Sequence, residues 1–182
     1  TFVCIDKKAA APPIRVAGFT GNPPFQEKTM SEQHDFSTAD LIDIAPDTPS
    51  CETQFHRFGR HRHFCGKIRT VKCARDNGLV KTLMNSHSDG EVLVVDGGGS
   101  LYSALMGDLI AGAGAANGWA GAVINGAIRD SEAINTMPFG VKALGTNPRK
   151  SAKAGAGEMD IIVSFGGVDF IPGHYLYSDA DG

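Results

Sequence analysis

The chain has 182 residues, of which 42% are apolar and 20% charged, and its formal net charge is −3. That length supports one domain with a real core, and two domains would each be small. The mildly acidic balance argues against a nucleic-acid or anionic-membrane partner held by global charge, and no apolar run approaches the roughly 20 residues that span a bilayer.

Residues 1–34 differ from the rest, with AAAPP, GNPPF and four of the nine prolines. This composition predicts a poorly ordered surface arm, followed by a single domain over residues 35–182. The start of the chain lacks the charged-then-apolar layout of a secretory signal. The four cysteines, Cys4, Cys51, Cys65 and Cys73, form no CxxC pair. Neither a disulfide framework nor a zinc site is expected, and a reducing, cytoplasmic setting is.

From Phe36 onward the pattern tightens. Ser37 precedes Thr38-Ala39-Asp40-Leu41 as a helix N-cap with an acid at the third helical position, and Pro46 and Pro49 close that helix. Residues 64–73 alternate as a strand, and residues 77–84 read as a short amphipathic helix. Residues 92–95, Val-Leu-Val-Val between Asp-Gly turns, predict a strand buried on both faces. Residues 101–106 read as a helical turn, and a small-residue helix follows over 108–117. Residues 122–124 predict a strand ending near Gly126, then a helix over 131–137 and a strand over 141–144. Short strands at 161–165, 168–171 and 175–177, separated by Gly166-Gly167 and Pro172-Gly173, predict a closing meander. Strands alternating with helices make this an α/β protein.

Four segments could carry chemistry. Gly107, Asp108, Leu109 and Ile110 stand at a predicted helix start, where free N–H groups and the helix dipole favour an anion. A turn glycine followed by an ordinary helix-start acid explains the same residues. Arg129 and Asp130 follow a predicted strand and precede a helix, where α/β sheets bind ligands. An Asp there can hold a hard cation and an Arg can fork onto a carboxylate, although a surface ion pair is the simpler account.

The third segment is Asp96-Gly97-Gly98-Gly99-Ser100, which permits close backbone approach but is no Walker loop. Residues 112–118 resemble a nucleotide fingerprint only superficially, and close helix packing explains them better. The fourth segment, residues 55–64, interleaves three Arg, three His and three Phe. It could bind single-stranded RNA, and His61, His63 and Cys65 could be soft-metal ligands, but a solvated loop is the simpler reading.

The order of motifs resembles the RraA-like family. Thr38-Ala39-Asp40-Leu41, the aromatic stretch 55–62, residues 66–73 and 76–80, VLVVDGGGS at 92–100, residues 117–129 and FGGVDFIPGHYLYSD at 165–179 carry the likeness. It covers about residues 36–182. The resemblance implies a compact swivelling-type β/β/α domain, with mixed sheets and flanking helices, assembled as a homotrimer. Some members bind and inhibit an RNase E-type endoribonuclease. Others are divalent-metal (Mg2+ or Mn2+) aldolases that cleave 4-hydroxy-4-methyl-2-oxoglutarate to pyruvate and also decarboxylate oxaloacetate. In the aldolase type a Gly-led helix start is followed by an Arg-Asp pair, matched here by Gly107–Ile110 and by Arg129 and Asp130. Asp130 would hold the metal, largely through waters. The backbone N–H groups of Gly107, Asp108, Leu109 and Ile110, with Arg129, would bind a small 2-keto acid, and Arg129 would stabilise the enolate. No membrane or direct nucleic-acid partner is expected. His174 stands where the family commonly has Asp.

Overall fold

In a computed structural model the described residues are 3–5 and 36–182. Most of the predicted arm therefore lies outside the described residues, but Val3–Ile5 forms strand β1. The expected helix start is present: α1 spans Thr38–Ile44, and Ser37 accepts a hydrogen bond from the Asp40 N–H. The backbone N–H and hydroxyl of Thr38 both donate to the Asp179 carboxylate, at 2.6 and 2.7 Å. That bond pair ties α1 to the C-terminal segment.

The remaining elements are β2 (His56–Phe58), β3 (Phe64–Lys72), α2 (Gly78–Met84), β4 (Val92–Asp96), β5 (Ala104–Met106), α3 (Asp108–Ala116), β6 (Gly121–Ile128), α4 (Ser131–Ile134), β7 (Gly140–Thr146), β8 (Glu158–Met159), β9 (Val163–Phe165), β10 (Val168–Phe170) and β11 (Tyr175–Ser178). The main sheet has the order β1-β11-β3-β4-β6-β7-β2, with β5 added on β6 and β8 on β3. Strands β3, β4, β6 and β7 run parallel at its centre, and β11 and β2 flank them antiparallel.

Each central strand feeds two cores. In β4, Leu93 and Val95 face one cluster while Val92 and Val94 face the other. This two-sided burial is why β4 is an unbroken apolar run. On the first face α2 and α3 contribute Val80, Leu83, Met84, Ile110 and Ala111. On the second face Val163, Val168 and Phe170 of the β9–β10 hairpin join Phe64, Ile68 and Val123. Helices, large sheet and small sheet thus form the mixed α/β arrangement, in three layers.

Glycine is used for close approach. Gly121 and Gly140 are register partners on β6 and β7. A Cβ at either position would stand 2.5 or 2.4 Å from a Phe64 ring atom. The paired glycines therefore form the slot for a ring whose burial contributes roughly 2–3 kcal/mol. In α3 a Cβ at Gly114 would stand 2.5 Å from the Met84 sulfur. That contact accounts for residues 112–118 as a helix-packing stripe.

Several expectations change. Residues 104–106 are a buried strand paired parallel to β6 instead of part of a helical turn, because three apolar residues are too few to show a period and pairing decides. Strand β6 continues past Gly126 to Ile128 through an irregularity between Ile124 and Ala127. Helix α4 ends at Ile134 rather than at 137. The C-terminal strands form no meander: β9 pairs with β10, while β11 pairs with β3 and β1. Period-two alternation marks a strand but does not name its partner. The basic stretch 55–64 is also more than a loop, since His56–Phe58 pairs with β7.

Candidate active site

The site is made by two neighbouring parallel strands ending together. Met106, the last residue of β5, is in register with Ile128, the last of β6. The Arg129 N–H donates to the Met106 carbonyl at 2.9 Å, which extends the pairing one step. Gly107 and the Arg129-Asp130 pair, 22 positions apart in the chain, are thereby set side by side at the carboxyl ends of the strands.

Asp130 has φ 55° and ψ 37°, the left-handed region. Among the described residues only Arg75 and Asp160 share a positive φ without being glycine. Such a conformation is costly except for Gly, Asn and Asp, and it concentrates at functional sites. Along an extended strand successive side chains point to opposite faces. Leaving that geometry turns the Asp130 carboxylate back onto its neighbour, with Oδ2 3.1 Å from Arg129 Nε. The two side chains are 28% and 37% exposed, so both remain open to a ligand.

Gly107 closes the triangle. Its φ of −130° is ordinary, so backbone freedom does not explain it. Space does: a Cβ there would stand 2.8 Å from Asp130 Oδ2 and 3.1 Å from Arg129 Nε.

The N–H groups of α3 are partly used. Ile110 and Ala111 donate to the Gly107 carbonyl, at 3.2 and 3.0 Å. The Leu109 N–H donates to the carboxylate of Asp108 at 2.8 Å. Of the four segment residues expected to bind a carboxylate, Ile110 is thus committed to its own helix. The Leu109 N–H is likewise occupied, by the side chain that precedes it. Leu109 itself is 82% exposed, an apolar side chain left open beside polar chemistry.

A divalent cation fits this arrangement in one form. Among the described residues no group of three or more His, Cys, Asp or Glu stands together to hold a metal ion. A single partly exposed carboxylate suits a hard cation that keeps most of its waters, as Mg2+ does, and not a protein cage.

The other segments resolve differently. Around Asp96 the Gly98 N–H and Asn125 Nδ2 donate to the carboxylate, while the Gly97 and Gly99 N–H groups donate to the Asn125 carbonyl. The triple-glycine loop spends its amides internally. His61, His63 and Cys65 do not converge: His61 lines a surface cleft, whereas His63 packs edge-on against Phe36. Burial, with Asp76 and Asp96 adding to it, pushes the Cys73 thiol up to about 12, so it is no thiolate nucleophile at neutral pH. One cluster had no sequence signal: the guanidinium groups of Arg75 and Arg149 lie 4.2 and 4.3 Å from the ring centroid of Tyr102. Those residues are too far apart in the chain for spacing to suggest it.

A mixed α/β protein with an Arg-Asp pair and a Gly-led helix start at paired strand ends is the class defined by this fold and site. Residues 38–182 match the RraA-like family, described as Aldolase/RraA. The chain belongs to the RraA-like family. It is 47% identical to a Geobacillus kaustophilus protein described as an S-adenosylmethionine:2-dimethylmenaquinone methyltransferase, with TM-score 0.79 over 81% of this chain and 92% of that one. It is 41% identical to the RNA-processing inhibitor RraA from Thermus thermophilis, also with TM-score 0.79, over 81% and 90% of the two chains. At 24% identity, Streptomyces coelicolor RraAS2 shares the fold with TM-score 0.64 over 79% and 75%. No helix among the described residues is long and apolar enough to cross a membrane.

Proposed function

We propose that this chain is a divalent-metal-dependent aldolase that cleaves 4-hydroxy-4-methyl-2-oxoglutarate-type acids to pyruvate and decarboxylates oxaloacetate. The observation that carries the reading is that the side chains of Arg129 and Asp130 fill the space where a Cβ of residue 107 would stand. Both reactions break a bond to C3 of a 2-keto acid and leave the electron pair there as an enolate. In the aldol cleavage the C4 hydroxyl gives up its proton and becomes the carbonyl of the second product. In the decarboxylation CO2 leaves.

The chain's residues would meet that need as follows. The Asp108 and Leu109 N–H groups at the helix start bind the substrate carboxylate, with the Asp108 side chain giving way. Arg129 shares its Nε with Asp130 and, among the described residues, has no other ion pair, so its terminal nitrogens face the developing enolate. Mg2+ or Mn2+ beside Asp130 supplies Lewis-acid polarisation when bound. The proton of the C4 hydroxyl passes to water, and C3 of the enolate takes a proton from water to release pyruvate. In this reading the working form is a homotrimer in the cytoplasm.

The test is pyruvate release from the hydroxy acid and from oxaloacetate, with Mg2+ and with EDTA. Release that EDTA removes is the expected result. The 41% identity to an RNA-processing inhibitor favours a second reading, a regulator that binds an RNase E-type endoribonuclease. A folded, metal-supplied protein that releases no pyruvate from either acid would leave that second reading in place.

Gly107→Ala separates the site from the fold. The three atoms nearest the new methyl group belong to the side chains of Arg129 and Asp130, which can swing away. We expect a melting temperature close to that of the parent. Turnover should fall about 10²-fold, the cost of displacing reacting groups by an ångström. Unchanged turnover would remove Gly107 from the site.

A further inference from the structure

Neither Arg129 nor Asp130 lines the cleft that the structure forms beside β2. This cleft, of about 580 Å3, is lined by Arg57, Gly59, Arg60, His61, Arg62 and Asn135. Its walls are held by backbone. The Arg60 N–H donates to the Met137 carbonyl at 3.0 Å and the His61 N–H to the Phe139 carbonyl at 3.4 Å. The Gly59 N–H donates to Asn135 Oδ1 at 2.9 Å. That last bond fixes the amide orientation of Asn135 and leaves its Nδ2 as a donor. With the backbone groups committed, the side chains of Arg57, Arg60, His61 and Arg62 are exposed.

The charge here is uncompensated. No acidic residue lines the cleft. Among the described residues, Arg57, Arg60 and Arg62 make no ion pair. Arg57 is also the register partner of Lys142 across β2 and β7. Like charges directly opposite on a sheet are destabilising. Burial pushes Lys142 down to about 8 against the pull of Asp179, and Arg57 adds to the lowering. A fold that gathers three guanidinium groups in a concave surface, with no carboxylate among them, holds a field that an anion would relieve. Guanidinium forks match tetrahedral oxyanions, and the cleft is larger than one ion requires.

We propose that this cleft binds phosphate groups, either of a free polyphosphate or of a single RNA strand. The overall charge of −3 conceals it, because the positive charge is local.

The experiment measures binding of inorganic tripolyphosphate by calorimetry and of a short oligouridine by fluorescence anisotropy, at low and moderate salt. It uses the parent chain, R57Q/R60Q/R62Q, and K67Q/K81Q/K153Q as a variant neutralised elsewhere. All six positions are exposed, so both triple variants should keep the parent's melting temperature. The expected result is binding that weakens at least about ten-fold in the arginine variant. For the oligonucleotide its salt slope should fall by about 2, three phosphate contacts at roughly 0.7 each. The lysine variant should bind like the parent. Tripolyphosphate binding alone assigns a free anion, and oligouridine binding assigns a strand. Absence of binding to both, or equal loss in both triple variants, overturns the proposal. Pyruvate release is no part of this readout, so failure here leaves the aldolase reading untouched.

Discussion

Asp130→Asn is expected to reduce metal-dependent pyruvate release by about 10²–10³-fold while leaving the fold intact. The backbone makes this substitution informative. Asp130 sits at φ 55° and ψ 37°, where Asn is the other non-glycine residue readily tolerated. Alanine would add backbone strain to the loss of the carboxylate and confuse the two effects. Asparagine keeps the turn and the shape of the side chain that stands 3.1 Å from Arg129 Nε. What it lacks is the charge that attracts a hydrated cation. Mn2+ binding, followed by the metal's own paramagnetic signal, should weaken in parallel, and the thermal unfolding curve should coincide with the parent's. A variant that turns over like the parent would end the aldolase reading. Normal Mn2+ binding with lost turnover would instead move Asp130 from metal holder to a group acting on the substrate.

Much of the architecture was legible because it follows from local physics. Ser37 and Asp40 mark a helix start through one hydrogen bond. Val92 to Val95 mark a doubly buried strand because both faces are covered. The site was legible only in pieces. Gly107 suggested a helix start and Arg129-Asp130 a strand end, each with an equally ordinary explanation, and the family resemblance was needed to put them in one pocket. Their contact depends on β5 lying beside β6, and Ala104-Leu105-Met106 is too short to announce itself as a strand. Gly126 was misleading for the opposite reason, since a glycine that reads as a stop marks an irregularity inside a longer strand. In residues 55–64 the charge was visible in the composition. The cleft was not, because its far wall comes from Asn135, more than seventy positions along the chain.

The support under the site can be tested through Asp76, which holds the loop that braces β5. Asp76 is 3% exposed, and its carboxylate accepts the backbone N–H groups of Gly78, Ala154 and Gly155 at 2.8, 2.7 and 3.0 Å. The segment it pins continues back to Ser151, whose hydroxyl bonds that of Ser103, and to Arg149, whose carbonyl accepts the Ala104 N–H. Ser103 and Ala104 begin the path through β5 to Gly107. Asp76→Ala leaves three part-buried N–H donors without their acceptor, so we expect a loss of roughly 3 kcal/mol, or about 6–12 °C in melting temperature. Asparagine should rescue little, because its NH2 would face an N–H donor. The pH dependence gives the sign. Burial alone would raise the pKa of Asp76, but the N–H groups of Gly78, Ala154, Gly155 and Ala156 outweigh it and hold the carboxyl below its ordinary value. A lowered native pKa contributes stability that is complete above the unfolded value of about 4 and disappears as pH falls through the native one. The stability gap between parent and Asp76→Ala should therefore be constant from about pH 7 to 5 and narrow below about pH 4. Denaturant unfolding across that range checks it, and a gap that widens toward acid would show that the ionised carboxylate is not what holds the loop.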